Sequence, residues 1–542
     1  MARSRGRLAS RLAAPELNHR PRSARSHIGP WAPPALIASA LAGIYLVLAP
    51  ISADLAAATY RSNLFARAGF LAWDNRWYGG HHLPGYSLLS PALGALLGPR
   101  LLLALAAIAA AALFAMIAAS AFEGVAARLA AAWFAVAVGI QMLSGRVPFY
   151  LGLAIALGAV LAAIRRHTPA AIALAAISAV ASPVTGAFLA IFGVATALSG
   201  ARRRGVAIVA GGLVPVVALA VLFPEGGYEP FVAGSFWPAL AATAAIAILL
   251  ARERRRPLAS GAALYAVAEI LAFAVHTPLG GNVSRLGPLL GGPLVVAVLW
   301  QRRRTALFVV APLLAYWSLI APVSDFITAD ADRSAKASYY QPLLGELARV
   351  TGGRPVRIEI PPTAAHWEAV YVAPRVALAR GWERQLDTRF DALFYRSKLS
   401  SGAYRAWLAQ NAVSYVALPD APLDYAAQSE GSLIRAGAAY LVPVWRSAHW
   451  RLFAVRDATP LAAAPATLTG LSTDGFTLRA PRAGRFEVRV RFTPYWALLA
   501  GHGCVAPAPG GWTRVTGTAA GSLRVGIRFA LGRVLARGAR CD

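Results

Sequence analysis

Residues 251–305 read ARERRRPLASGAALYAVAEILAFAVHTPLGGNVSRLGPLLGGPLVVAVLWQRRRT. Two apolar runs, 258–276 and 283–300, stand between arginine clusters and share one polar loop, HTPLGGNVSRLG (276–287). Each run is long enough to cross a hydrocarbon layer about 30 Å thick. Inside such a layer every backbone N–H and C=O must find its partner within its own segment, so both runs are expected to be helices. Arginines crowd the two outer ends and are sparse at the loop. That is the positive-inside pattern, which places ARERRRP (251–257) and WQRRRT (300–305) on the cytoplasmic face and the loop outside.

The same alternation extends from Trp31 to Pro322. Apolar segments fall at 32–52, 84–98, 101–121, 124–144, 147–164, 169–200, 206–223, 231–251, 258–276, 283–300 and 305–322. The chain is 57% hydrophobic and 14% charged, against about 25% charged in a soluble domain. These features predict a polytopic α-helical membrane protein of about eleven spans, multi-pass in the plasma membrane with its N-terminus cytoplasmic. The first segment follows a basic stretch and runs into ISA (51–53), but its length and the spans behind it favour an uncleaved anchor over a signal peptide. Two segments have alternative readings. If 84–98 and 169–200 each cross once, Arg165, Arg166 and His167 face outward, against the arginine pattern. If 84–98 does not cross and 169–200 is a hairpin broken at SPVTG (182–186), that cluster faces inward on short hairpin arms. Both readings leave everything after Pro322 outside. The formal net charge of +29 therefore fixes orientation and is not a nucleic-acid footprint, because the clusters sit at segment ends without interleaved aromatics.

After Pro322 the composition changes. VRIEI (356–360) and SYVAL (414–418) read as strands that alternate with helices, one of them carrying Trp407. From about 459 the pattern has period two: FTLRA (476–480), RFEVRVRFTPYW (485–496), GSLRVGIRFAL (521–531). The expected organisation is a basic cytoplasmic N-terminus (1–30) and a transmembrane domain (31–323) with a first external loop at 53–83. An external α/β domain (324–458) and an external β-rich domain (459–542) follow. Cys504 and Cys541 are the only cysteines; outside the cell they form a candidate disulfide, and two free thiols are the alternative.

Polar side chains are so scarce that their clustering is informative. WDNRWYGGHHLPGYSLLSP (73–91) holds Trp73, Asp74, Trp77, Tyr78, His81 and His82. Aromatic faces and imidazoles suit a sugar ring, and they equally suit the headgroup belt. Asp54 is the first acid after the first span; it caps the helix that follows or serves as a general base, with Asp74 about twenty residues on. Arg285, with Asn282 beside it, is a candidate phosphate clamp through its planar fork of donors, or an interfacial arginine snorkelling to headgroups. Glu269 lies well inside an apolar run and needs a partner, a wet cavity or a proton. HWE (366–368) and RGWERQLD (380–387) read as a glycan-recognition or docking surface, or as structural tryptophans. No ligand spacing supports a metal.

The run from the first span through Asp54 and RSNLFARAGFLAWDNRWYGGHHLPGYSLLSP (61–91) into PALGALLGPR (91–100) resembles the first external loop of GT-C superfamily membrane glycosyltransferases. RVPFYLGLAIALGAVLAAIRRH (146–167), the break at SPVTG and TPLGGNVSRLGPLL (277–290) are similar to later parts of such chains, and HWEAVYV (366–372), ARGWERQLD (379–387) and NAVSYVALPD (411–420) resemble multi-pass membrane proteins of actinobacteria. The resemblance implies inverting transfer of a sugar from a polyprenyl-phosphate donor to a glycan or lipid acceptor of the cell envelope at the outer face. Asp54 would be the base that takes the acceptor's proton. Many members carry an adjacent acid pair or a D-x-D arrangement; this chain has neither, so a divalent metal has no ligand motif behind it. The alternatives are a transporter or flippase that uses Glu269, and a non-catalytic protein that binds a glycolipid or partner.

Overall fold

The structure is a computed structural model that describes residues 29–330, 332–396, 398–535 and 540–541. Of the basic segment 1–30, only Gly29 and Pro30 fall inside the described residues. Eight helices are long and apolar enough to cross a membrane, from Pro99–Ala121 to the last, which begins at Arg304. The protein is membrane-embedded.

Helix Ala32–Leu48 precedes helix Ala53–Ala68, bent 79° from it at the break Ala49–Ser52. The segment 84–98 holds no helix long enough to cross a membrane. Its helix, Ser90–Leu97, has eight residues, about 12 Å at 1.5 Å per residue. Arg100 then donates to the carbonyls of Ala49 and Pro50, both at 3.1 Å, so the next helix starts at the level where the first one ended. Residues 49–98 thus lie between the Leu48 end of the first helix and the start of the helix Pro99–Ala121. The segment 169–200 is a hairpin of Thr168–Ala181 and Pro183–Leu198. Pro183 disfavours the helical conformation for Ser182, which is extended at φ −156°, and Thr185 ties the break by donating to the Ser182 carbonyl at 2.8 Å.

Helix ends collect on two faces. At one, Arg302 pairs with Glu253 at 3.2 Å, Arg255 lies over Phe122, and Arg204 donates to Thr168 and to the Ala163 carbonyl. The turns at 165–167, 199–201, 253–255 and 300–303 therefore bring the arginine clusters together. The opposite ends meet the C-terminal half: Tyr495 donates to Leu222, Thr388 to Tyr228, Gln385 to Pro278 and Trp382 to Ala53.

That half contains one five-stranded sheet in the order 377–378, 357–359, 413–419, 450–455, 441–446, parallel across the first three strands and antiparallel beyond. Two four-stranded sheets follow and share a core in which Phe486, Val488 and Val490 alternate inward along Gly484–Arg491. Cys504 and Cys541 sit directly opposite on paired strands and are bonded to each other.

Beneath the five-stranded sheet Arg380 is buried and forks onto Asp387 at 2.9 and 2.7 Å, reaching Glu430 at 3.2 Å. Glu359 and Asp391 are buried nearby. Four acids share one guanidinium. Burial first, and mutual repulsion second, raise Glu359 and Asp391; burial, the largest cause, also raises Glu430. A carboxyl raised by folding holds its proton more tightly in the native state, so it contributes stability at low pH that is lost as pH rises from about 4 through the raised value. Each tenfold change in acidity is worth about 1.4 kcal/mol. Thermal melts of the full chain should therefore show a higher midpoint near pH 5 than near pH 8, and an Arg380-independent, flat profile would contradict this arrangement.

Candidate active site

The chain turns at Ser52, whose extended backbone starts helix Ala53–Ala68. Asp54 lies in the first turn of that helix and makes no cap bond; the N-cap position belongs to Ser52. Its carboxylate instead accepts from Arg146 at 3.1 Å, with both side chains about a third exposed. Arg146 reaches it because Gly145 turns through φ +71° and packs its bare Cα against Ser52 and Leu55, where a Cβ would lie 2.1 Å from the Ser52 hydroxyl. The same turn brings Ser144, which donates to Asp325 at 3.0 Å. Asp325 stands near the end of the last membrane helix.

These residues open into a cavity of about 290 Å³ between the helix ends and the C-terminal half, lined also by Asp332 and Trp382. The Trp382 ring stacks on His366, with centroids 3.7 Å apart, and its indole N–H donates to the Ala53 carbonyl at 2.7 Å. His366 is held by Asp424 at 3.2 Å, and Arg384 grips the same carboxylate at 3.0 and 2.8 Å. Trp382 of RGWERQLD thus roofs the cavity, and His366 of HWE stands behind its ring.

Arg285 belongs to the same charged cluster. It lies over the Phe149 ring at 5.6 Å, one turn beyond Arg146, and within electrostatic reach of Arg146, Asp54 and Glu229. Burial pushes the Glu229 carboxyl up to about 7, with Arg285 and Arg384 pulling it down. Asn282 shares the Arg285 turn, its N–H bonded to the Leu279 carbonyl.

The aromatic stretch does not line this cavity. Trp73, Asp74, Trp77, Tyr78, His81 and His82 are all at most 5% exposed, which leaves no face for a substrate. They join three parts of the molecule instead. Asn75 bonds the carbonyls of Ser472 and Gly475, the Arg76 carbonyl accepts from Leu378, and Tyr78 donates to Gly381. His82 sits between Glu225 at 2.7 Å and Thr493 at 3.0 Å. His81 stacks on Trp77, and burial drives its pKa well below the usual range. Asp74 accepts from Tyr60 at 2.7 Å and burial pushes its pKa up to about 6. Polarity gathers here because backbone and side-chain bonds fasten the membrane helices to both sheet regions.

Glu269 is fully buried among the membrane helices beside Thr243 and Tyr265, and neither carboxyl oxygen has a hydrogen-bond partner among the described residues. Among those residues no three of His, Cys, Asp and Glu cluster so as to hold a metal ion.

Sequence reading missed Arg146, Asp325, Glu229 and Trp382 as partners of Asp54. Arg146 carried a signal: it stands at a segment end opposite to that of the arginine clusters. No protein-family model and no curated protein matches the chain.

Proposed function

We propose that the chain is a membrane glycosyltransferase that moves a sugar from a polyprenyl-phosphate donor to an acceptor hydroxyl, on the face that carries its C-terminal half. One observation carries the reading: Asp54 and the Arg146 guanidinium that binds it line one cavity between the helix ends and the C-terminal half, with Arg285 within electrostatic reach of both. Asp54 takes the acceptor's proton as its oxygen attacks the anomeric carbon from the side opposite the phosphate. The new C–O bond forms as the sugar–phosphate bond breaks, giving inversion. Charge building on the leaving phosphate falls to Arg285 and Arg146, whose forked donors match its geometry.

The arginine clusters gathered at the far face and the bonded cysteines in the C-terminal half both support an external catalytic face. Eight helices are long and apolar enough to cross, and the reading takes Ala32–Leu48 and the two shorter hairpin arms as crossings too, eleven in all. Envelope glycans and lipid-linked sugars should be compared between cells lacking the protein and cells complemented with it. Loss of one glycan with build-up of its lipid-linked precursor is expected; identical profiles overturn the proposal.

Trp382 lines the cavity, its ring backed by His366 and approached by Arg384 at 5.3 Å, and on this reading its edge in the cavity is the contact for a sugar ring. Trp382→Ala should raise KM about tenfold with a smaller change in kcat, the scale of one aromatic contact, while Trp382→Phe keeps most of the affinity. Equal KM values for all three proteins would remove that contact.

A second reading, a transporter or flippase, rests on the unpartnered carboxyl of Glu269. It requires Glu269→Gln to block flux in vesicles without altering any glycan.

A further inference from the structure

A second cavity, about 550 Å³, lies among the membrane helices away from Asp54. Its walls are apolar, with Phe188, Phe192, Tyr265 and Trp317 the largest side chains, and its size falls within the range of sites that hold small molecules, about 300–1,000 Å³. Charge is confined to one end. Among the described residues Arg166 and Arg204 are the only charged ones that line it, and both stand on the arginine-bearing face.

Neither guanidinium is neutralised by an acid among the described residues. Arg204 spends two donors on the Thr168 hydroxyl and the Ala163 carbonyl, both at 3.3 Å. Arg166 has no side-chain partner among the described residues and is exposed, on a backbone turned to φ +63°. Of the acids on that face, Glu253 is taken by Arg302 and Arg303, and neither it nor Glu123 lines the cavity. From this charged end the cavity follows helix Pro183–Leu198 inward from Ser199 to Phe188, about 16 Å at 1.5 Å per residue. That depth is half of a hydrocarbon core about 30 Å thick, which is one leaflet.

We propose that this cavity is a binding site for an anionic phospholipid of the leaflet on the arginine-bearing face. The phosphodiester sits between Arg166 and Arg204, and one acyl chain lies along Phe188, Phe192 and Trp317. Basic pockets between membrane helices recognise anionic headgroups in this way. The isoprenoid tail of a donor, entering beside Leu286 with its phosphate toward Arg285, is the competing occupant, but it would leave Arg166 and Arg204 at the opposite end without a counter-charge. The inference does not depend on the glycosyl-transfer reading.

The test is lipid retention by the full chain in detergent, measured by native mass spectrometry after incubation with phosphatidylglycerol or phosphatidylcholine. Wild type should retain phosphatidylglycerol on the order of 30-fold better, a factor of about five per guanidinium. The double variant Arg166→Gln/Arg204→Gln should lose that preference. Gly261→Phe, whose Cβ would meet only Ala195 at 3.9 Å, should fill the cavity and abolish retention with both arginines intact. Equal retention of the two lipids by wild type overturns the site whatever the variants do. Retention that survives loss of the arginines but not the filling substitution assigns the cavity to a tail-bound lipid and also overturns it. Retention that survives filling moves the headgroup site outside the cavity, and the proposal fails there too.

Discussion

Asp54→Asn is expected to lower sugar transfer by about 10²- to 10⁴-fold, the usual contribution of a positioned general base, with expression and folding unchanged. Asparagine fills the same volume and can still accept from Arg146, but it takes no proton from an acceptor hydroxyl. Loss of the ion pair has little structural cost, because both partners are about a third exposed and such pairs contribute about 1 kcal/mol or less. Chemistry and stability are therefore separable at this position. Asp325→Asn is the matched control: it preserves the bond from Ser144 and removes another acid of the cavity wall that shares the Arg146 field. Product formation in membranes of equal protein content decides the matter. If Asp54→Asn stays within tenfold of wild type while Asp325→Asn is inactive, the base is Asp325.

The membrane-spanning part was legible because hydrophobic length is a one-dimensional property. Arginine clusters at 202–204, 252–256 and 302–304 marked one set of ends before any helix was placed. The ambiguity at 169–200 resolved at a proline visible in SPVTG, yet only the packing of Thr168–Ala181 against its neighbours shows that short arms are tolerated. In the C-terminal half the period-two runs were strands, but RFEVRVRFTPYW is two: Gly484–Arg491 lies in one sheet and Trp496–Ala500 in the other. Their alternation continues through the turn, so periodicity alone hid the break at Pro494. The site was half legible. Asp54 and Arg285 drew attention by type and place, whereas Arg146 and Asp325 join them through contacts 92 residues (Asp54 to Arg146) and 181 residues (Ser144 to Asp325) apart. The aromatic stretch misled for a physical reason: a three-way joint between polypeptide layers demands the same hydrogen-bonding rings as a sugar site, and composition does not distinguish them.

Arg61→Met should destabilise the protein by about 3–5 kcal/mol, the cost of removing one partner from a buried ion pair, and should abolish transfer although Arg61 lies outside the cavity. Arg61 is 2% exposed and is bonded to Glu383. Its guanidinium also lies over the rings of Tyr86 at 3.9 Å and Trp77 at 5.2 Å. Burial already pushes the Glu383 carboxyl up, with Arg61 pulling it down; without Arg61 the acid is left buried and alone. Lysine is a poor substitute, since it offers neither the flat stack nor the fork. The functional loss follows from helix Ala53–Ala68, which carries Asp54 seven residues before Arg61, about 10 Å along a rigid rod. At one end of that rod Trp382 holds the Ala53 carbonyl, and in its middle Glu383, the next residue, holds Arg61. Releasing the second grip lets the Asp54 turn shift against the roof of its cavity. The double variant Arg61→Met/Glu383→Met separates the two effects: replacing both charges by apolar groups of similar volume should recover most of the stability without restoring the register of Asp54 and Trp382. A double variant that regained both stability and transfer would show the pair to be packing alone. A single variant as stable as wild type would show that the joint between membrane helices and roof is held elsewhere.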